Sequence, residues 1–164
     1  EEIYRWAGPY MVSRQVVAVD ADSSIRSLSD LAGKTVAVQS TGKPEEIFLS
    51  DSDPRIPQTV EVISTKDRSV QYAMLACGYV DAVAAHETAI LQYMKDNDVE
   101  FRILEEPLLV TGLGIAFAKN DTRGLDSQLT DTLAQMRADG TLERIIGRYL
   151  ENASQYLEVD TIGA

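Results

Sequence analysis

Two short stretches hold the residues that could do chemistry on a small molecule. "QSTGKPEE" sets Ser40, Thr41, Gly42 and Lys43 immediately before a helix start. Free N–H groups, hydroxyls and the positive end of the helix dipole could hold a carboxylate or phosphate there, or the same residues could serve as a plain helix cap. It is not a P-loop, because Lys43 is followed by Pro44 and no pair of glycines brackets four residues before it. "GYVDAVAAHETAI" holds the one histidine of the chain, His86, directly after a strand. His86 could line a ligand cleft, act as a neutral structural residue at the helix start, or bind a metal with Glu87. The metal reading is disfavoured because adjacent residues rarely point the same way. Asp81 opens the same strand at its far end, so a His–Asp catalytic pair is not supported.

No GxSxG elbow is present and no second imidazole exists for a histidine-rich metal site. The expectation is therefore no catalytic residue, no metal and no cofactor. Cys77 is the only cysteine, which rules out an internal disulfide and a cysteine cluster for zinc. It reads as a small buried hydrophobe of a helix rather than a reactive thiol.

The elements around these residues follow from periodicity. Residues 14–20, "RQVVAVD", form a strand with β-branched residues interleaved. "SLSDLAGK" reads as a short helix in which Ser27 or Ser29 accepts backbone N–H bonds and Gly33 ends the turn. Residues 34–39 are a continuous apolar run of the kind buried on both faces of a parallel sheet. In the helix after it, Pro44 suits the first turn and Glu45 and Glu46 suit the positive dipole end. Residues 59–64 alternate as a strand, and the helix "TKDRSVQYAMLACG" aligns Val70, Ala73, Met74 and Cys77 on one face. A strand at 80–85, a helix at 87–97 and the short strand "EFRIL" continue the alternation, which predicts parallel crossovers and a three-layer α/β lobe. Beyond Pro107 come the strand "GLGIAFAK", a helix with Leu125, Leu129, Leu133 and Met136 along one face, and a second helix "TLERIIGRYL". The tail "ENASQYLEVDTIGA" has no period and reads as a loop.

Composition narrows the partners. The 164 residues, 45% of them hydrophobic, suffice for a buried core. A net charge of −11 arises from acids scattered along the chain, and no basic stripe exists to meet a nucleic acid or an anionic membrane. The longest apolar stretch, "PLLVTGLGIAFA", is far short of the roughly 20 residues needed to cross a bilayer. The start "EEIYRWAGPY" shows neither Met nor a targeting pattern, and the chain is expected to be a fragment. A lone cysteine does not decide the compartment.

In order, "RWAGPY", "SLSDLAGKTVAVQ", "CGYVDAV", "GIAFAKND" and "ADGTLERIIGRYL" resemble the bacterial extracellular solute-binding proteins of family 3, the polar-amino-acid-binding type, over residues 6–150. The resemblance implies a type II periplasmic-binding-protein-like α/β lobe with a parallel-rich sheet flanked by helices, plus hinge strands and the C-terminal helices of a partial first lobe. On that template residues 1–23 are a remnant of the first lobe and the first hinge strand, and 24–108 are the complete second lobe. Residues 109–150 are the second hinge strand and returning helices, and 151–164 a tail. Such a clamshell closes on its solute. The family's carboxylate-binding Gly-Thr-Thr turn aligns with Thr41, Gly42 and Lys43, and its ammonium-gripping aspartate aligns with His86. A neutral imidazole can accept one hydrogen bond but cannot neutralise an ammonium, so His86 is expected to alter solute choice.

The expected function is an extracytoplasmic, non-enzymatic module capturing a small polar solute, an amino acid or related compound, with ligand-binding residues Ser40, Thr41, Gly42, Lys43 and His86. Its expected partner is the membrane permease of an ABC importer or, alternatively, a fused signalling module of histidine kinase or diguanylate cyclase type. A lyase on the same fold and the effector lobe of a LysR-type regulator are weaker readings. Without a first lobe, Leu129, Leu133, Ile145 and Ile146 are expected to be partly bare and to favour a homodimer through the exposed hinge surface.

Overall fold

Val36, Ala37 and Val38 have no exposed surface at all, which requires cover on both faces of the strand that holds them. The computed structural model, which describes residues 3–159, supplies that cover. Its elements are β1 (Tyr4–Asp20), β2 (Thr35–Gln39), α1 (Lys43–Leu49), β3 (Glu61–Thr65), α2 (Arg68–Ala76), β4 (Ala82–His86), α3 (Glu87–Asn97), β5 (Phe101–Ile103), β6 (Leu109–Ala118), α4 (Leu125–Ala138) and α5 (Thr141–Ile146). Two further 3-10 turns occupy Leu28–Leu31 and Ala153–Leu157. The chain divides into two compact units, Arg14–Leu109 and the remainder, and β1 and β6 each contribute to both.

In the Arg14–Leu109 unit the sheet order is β3-β2-β4-β1-β5. β2 runs parallel to both β3 and β4, with Gln39 opposite Thr65 and Val38 opposite Ala84. β1 is antiparallel to β4 and β5, so the expected parallel-rich sheet carries two antiparallel pairings beside its parallel β3-β2-β4 part. Alternation counts elements but does not see which neighbour β1 takes; here it enters between the carboxyl end of one crossover and the edge strand.

The period of two sorts side chains cleanly between two cores. Val17, Val19, Val36, Val38, Ala82 and Ala84 pack on one face with Leu28, Leu31, Phe48 and Leu104. Val16, Ala18, Ala37, Val83 and Ala85 pack on the other with Tyr72, Leu75, Ile90 and Phe101. Three layers result. The Leu28–Leu31 segment is a single 3-10 turn rather than a helix, and a reciprocal capping box between Ser27 and Asp30 starts it, with Asp30 also accepting from the Arg26 N–H and the Ser27 hydroxyl.

α2 turns a different face inward from the one its apolar spacing indicates. Gln71, Tyr72 and Leu75 are buried, whereas Val70, Ala73 and Cys77 are exposed. Cys77 is thus not a buried hydrophobe, because it falls one residue beyond the helix as its C-terminal cap. The Tyr72 ring, tilted against Tyr93 with centroids 4.9 Å apart, contributes more buried area than Val70 could, and that decides the rotation of the helix.

The second unit holds the first part of β1 beside β6, where Gly114 allows close approach: a Cβ there would sit 2.9 Å from the Ala7 carbonyl oxygen. β1 is strand well before residue 14, contrary to the shorter segment indicated by its β-branched run. α4 is tied to it by Arg5, which pairs with Asp126 at 2.8 Å, and by Arg137, which donates to the Pro9 carbonyl at 2.6 Å. Leu133 and Ile146 are buried, at 9% and 8% exposure, so of the four residues expected to be partly bare they are covered within this unit, while Ile145 stays exposed. The tail is structured through Leu157, with Tyr156 buried, and not the loop its lack of period suggested. Residues 160–164 of that tail lie outside the described residues.

The rotation of α2 has a measurable consequence. Leu75→Ala should destabilise the protein by about 2–5 kcal/mol and Val70→Ala by less than about 0.5 kcal/mol in urea unfolding. Comparable losses from the two would contradict this assignment of faces.

Candidate functional site

Because β2, β3 and β4 are parallel, their carboxyl ends share one edge of the sheet, and three strand-to-helix turns meet there. A cavity of about 280 Å³ opens at this edge, lined by Gln15, Gln39, Gly42, Lys43, Pro44, Arg68, Ala84, Ala85 and His86. Its small size suits a small solute.

Each polar residue is placed by its element. Gln39 is the last residue of β2. Arg68 is the first of α2, fixed there by Asp67, whose carboxylate accepts from the Ser69 N–H at 2.8 Å as an N-terminal cap. His86 ends β4 and stands at the start of α3 without a capping hydrogen bond from its side chain. Antiparallel pairing puts Gln15 of β1 directly opposite His86, and the Gln15 amide nitrogen lies 3.1 Å from Nδ1 and 3.0 Å from Nε2 of that ring. Gln15 itself is buried. The next residue, Glu87, faces the other way and pairs with Arg14 at 3.2 Å, so a shared His86–Glu87 metal site is not formed. Among the described residues no cluster of three or more potential metal ligands exists.

His86 keeps an exposed edge, yet burial of the rest of its ring, aided by the Arg68 guanidinium, lowers its pKa below the ordinary histidine range. The imidazole is neutral at pH 7 and can accept the Gln15 amide N–H through its unprotonated nitrogen. Arg68 donates from Nη2 and Nε to the Gln39 side-chain oxygen at 3.2 and 3.3 Å and forms no ion pair with any described residue. Lys43 is paired with Glu46 at 2.7 Å on the outer face of α1. The lining residues include two cations and no carboxylate.

The β2–α1 turn reaches the cavity through Gly42 and Lys43 only. Ser40 and Thr41 are not lining residues, and their backbone N–H groups are used internally. Ser40 N–H donates to the Thr65 carbonyl, Gly42 N–H to the Gln39 carbonyl, and Thr41 N–H to the Glu45 carboxylate at 2.6 Å. The Ser64 hydroxyl also donates to Glu45, and these two bonds, the hydroxyl first, hold the Glu45 carboxyl below its usual range. The protein's own carboxylate thus occupies the Thr41 N–H, and backbone carbonyls occupy those of Ser40 and Gly42, the groups that the residue types assign to an outside anion.

Arg68, Gln15 and Gln39 are functional candidates that sequence reading missed. The signal for Arg68 was present: "TKDRS" is the third strand-to-helix turn on the same edge as "STGK" and "AHE". Gln15 had no local signal, since only the β1–β4 register brings it to His86.

No protein-family model matches the chain. The fold is the type II periplasmic-binding-protein-like fold of substrate-binding domains. Substrate-binding domain 2 of GlnP from Lactococcus lactis, in its open conformation, superposes with a TM-score of 0.72 at 25% identity, covering 91% of this chain and 63% of that one. In sequence, the chain is 32% identical to the Vibrio harveyi protein named as an amino-acid ABC transporter-binding protein, PatH, over 87% of this chain. It is 30% identical to the histidine-binding periplasmic protein of Salmonella typhimurium over 85% of this chain. The chain spans about half the length of the curated relatives it matches, 56% and 54% respectively. In sequence and in fold it resembles the amino-acid-binding proteins of ABC transporters, as its ordered motifs indicate.

Because the folded imidazole takes up a proton less readily than the unfolded one, His86 contributes stability that is present above its unfolded pKa of about 6.5 and is lost as pH falls through its lower folded value. An NMR titration of this one histidine should show a midpoint below about 6.5, moving upward in Arg68→Gln as the neighbouring positive charge is removed. A midpoint at or above the ordinary value would contradict the burial and charge described.

Proposed function

We propose that the chain is the solute-contacting part of an extracytoplasmic binding protein that captures a small polar solute, an amino acid or a related compound, for the permease of an ABC importer. The observation that supports this reading most is the convergence of Gln39, Gly42, Lys43, Arg68 and His86 on one cavity at the carboxyl edge of the parallel strands. Gln15, Gln39 and His86 supply neutral hydrogen-bonding groups, Arg68 and Lys43 supply charge, and Gly42 leaves room at the turn. Ser40 and Thr41 shape that turn from behind. Residues 24–108 are the lobe that bears these groups, apart from Gln15, which β1 contributes.

The solute leaves as it arrived. Acid–base catalysis needs a partnered proton carrier. In this cavity the sole imidazole is partnered by an amide, and no hydroxyl, thiol or carboxylate side chain lines the wall beside it. Binding favours the solute-bound conformation, and the permease reads that conformation. The Vibrio harveyi relative is named as a binding protein of an ABC transporter, which favours an importer receptor over a sensor.

A thermal-shift screen of the intact protein against amino acids, hydroxy acids, polyamines and nucleobases should find a selective stabiliser, worth about 2.7 kcal/mol at a hundred times its Kd. Arg68→Ala should weaken that solute at least about tenfold, since a charge-assisted hydrogen bond is worth roughly 1.5–3 kcal/mol. Lys43→Ala should weaken it less, its charge being shared with Glu46. No stabiliser across the panel, or full affinity in Arg68→Ala, would count against the proposal.

A further inference from the structure

We infer that this cavity selects a carboxylate solute bearing a neutral hydroxyl where an amino acid bears its ammonium, a 2-hydroxy acid, with Arg68 as the anchor of the carboxylate. The inference rests on the reading of the cavity as the solute site and goes beyond it by naming the solute class.

The charge inventory of the wall leads to it. Arg68 is the one lining cation without a carboxylate partner among the described residues; its fork is engaged only with the neutral Gln39 oxygen. A guanidinium so placed matches a carboxylate in two-point geometry. Every nearby carboxylate is committed elsewhere: Glu45 to Thr41 and Ser64, Glu46 to Lys43, Glu87 to Arg14, and Asp67 to Ser69. None of the four lines the cavity. An ammonium entering here would meet the unpaired Arg68 charge and no lining acid, and desolvating it unpaired is costly.

The part of the wall formed by Gln15 and His86 is neutral and bifunctional. Gln15 is 95% buried, the complement of its 5% exposure, lines the cavity, and its side-chain oxygen has no hydrogen-bond partner among the described residues. Its amide nitrogen is occupied by His86. An unsatisfied buried acceptor beside a neutral imidazole is suited to a solute O–H, which can donate to one and accept from the other without bringing charge.

Matched pairs test this directly. Calorimetry on the intact protein would compare lactate with alanine, malate with aspartate, 2-hydroxyglutarate with glutamate, and phenyllactate with phenylalanine. Each pair differs in a hydroxyl against an ammonium. The hydroxy acid is expected to bind at least about tenfold more tightly in the pair whose size fits, and His86→Asp is expected to reverse that ranking by restoring a counter-charge for the ammonium. The wild-type comparison stands even where the variant folds poorly. An amino acid binding as tightly as its hydroxy counterpart overturns the inference and leaves the binding-protein reading intact. Binding by none of the eight compounds, with a polyamine or nucleobase stabilising the protein instead, also overturns the inference alone. Silence across all classes overturns both.

Discussion

Val36, Ala37 and Val38 must lose water on both faces of β2, and this burial governs everything built around them. A strand covered on both sides sits inside a sheet, and parallel neighbours place their connecting helices as the cover. Once β3 and β4 run parallel to β2, the turns that begin α1, α2 and α3 have to emerge at one edge. Hydrophobic burial of a few small aliphatic residues thereby brings Gly42, Arg68 and His86 together, although 44 positions separate the first from the last. The alanines of β4 add to this: Ala84 and Ala85 line the cavity without filling it.

The local electrostatics run against the charge of the whole. The protein has a net charge of −11, yet the cavity wall holds two cations and no acid. That contrast is achieved by committing nearby carboxylates to structural bonds, as with Glu45 at the β2–α1 turn and Glu87 with Arg14. The Arg68 charge also acts on His86, lowering its proton affinity together with burial, and so keeps the imidazole available as an acceptor. One guanidinium therefore adds to the positive sign of the cavity and reinforces burial in keeping its histidine neutral.

Much of the fold was readable in the residues. Strands β2 to β5, helix α3, the Pro44 position and the isolation of His86 from Asp81 follow from periodicity and capping chemistry. What escaped reading depended on partners distant in sequence. The direction of β1 and its pairing of Gln15 with His86 are set by sheet order, which local pattern does not encode. The inward face of α2 was misread because Val70 and Cys77 look apolar, while the larger Tyr72 and Leu75 win the buried area. Tyr156 escaped for a similar reason: one large buried ring in a turn that packs on α5 makes no period. At the site, residue type alone pointed to Ser40 and Thr41, but the hydrogen bonds of Glu45 and Thr65 show those donors already engaged, and Arg68 stands where the open charge lies.

The central claim is that the solute meets the protein at the carboxyl edge of the parallel strands. Backbone amide shifts in isotopically labelled intact protein, followed while its tightest-binding solute is added, test that claim most directly. The account predicts that the signals of Gln39, Gly42, Arg68 and His86 move together and saturate at one solute equivalent. Shifts gathered instead around Trp6, Gly8 and Gly114, with the edge residues unmoved, would contradict it.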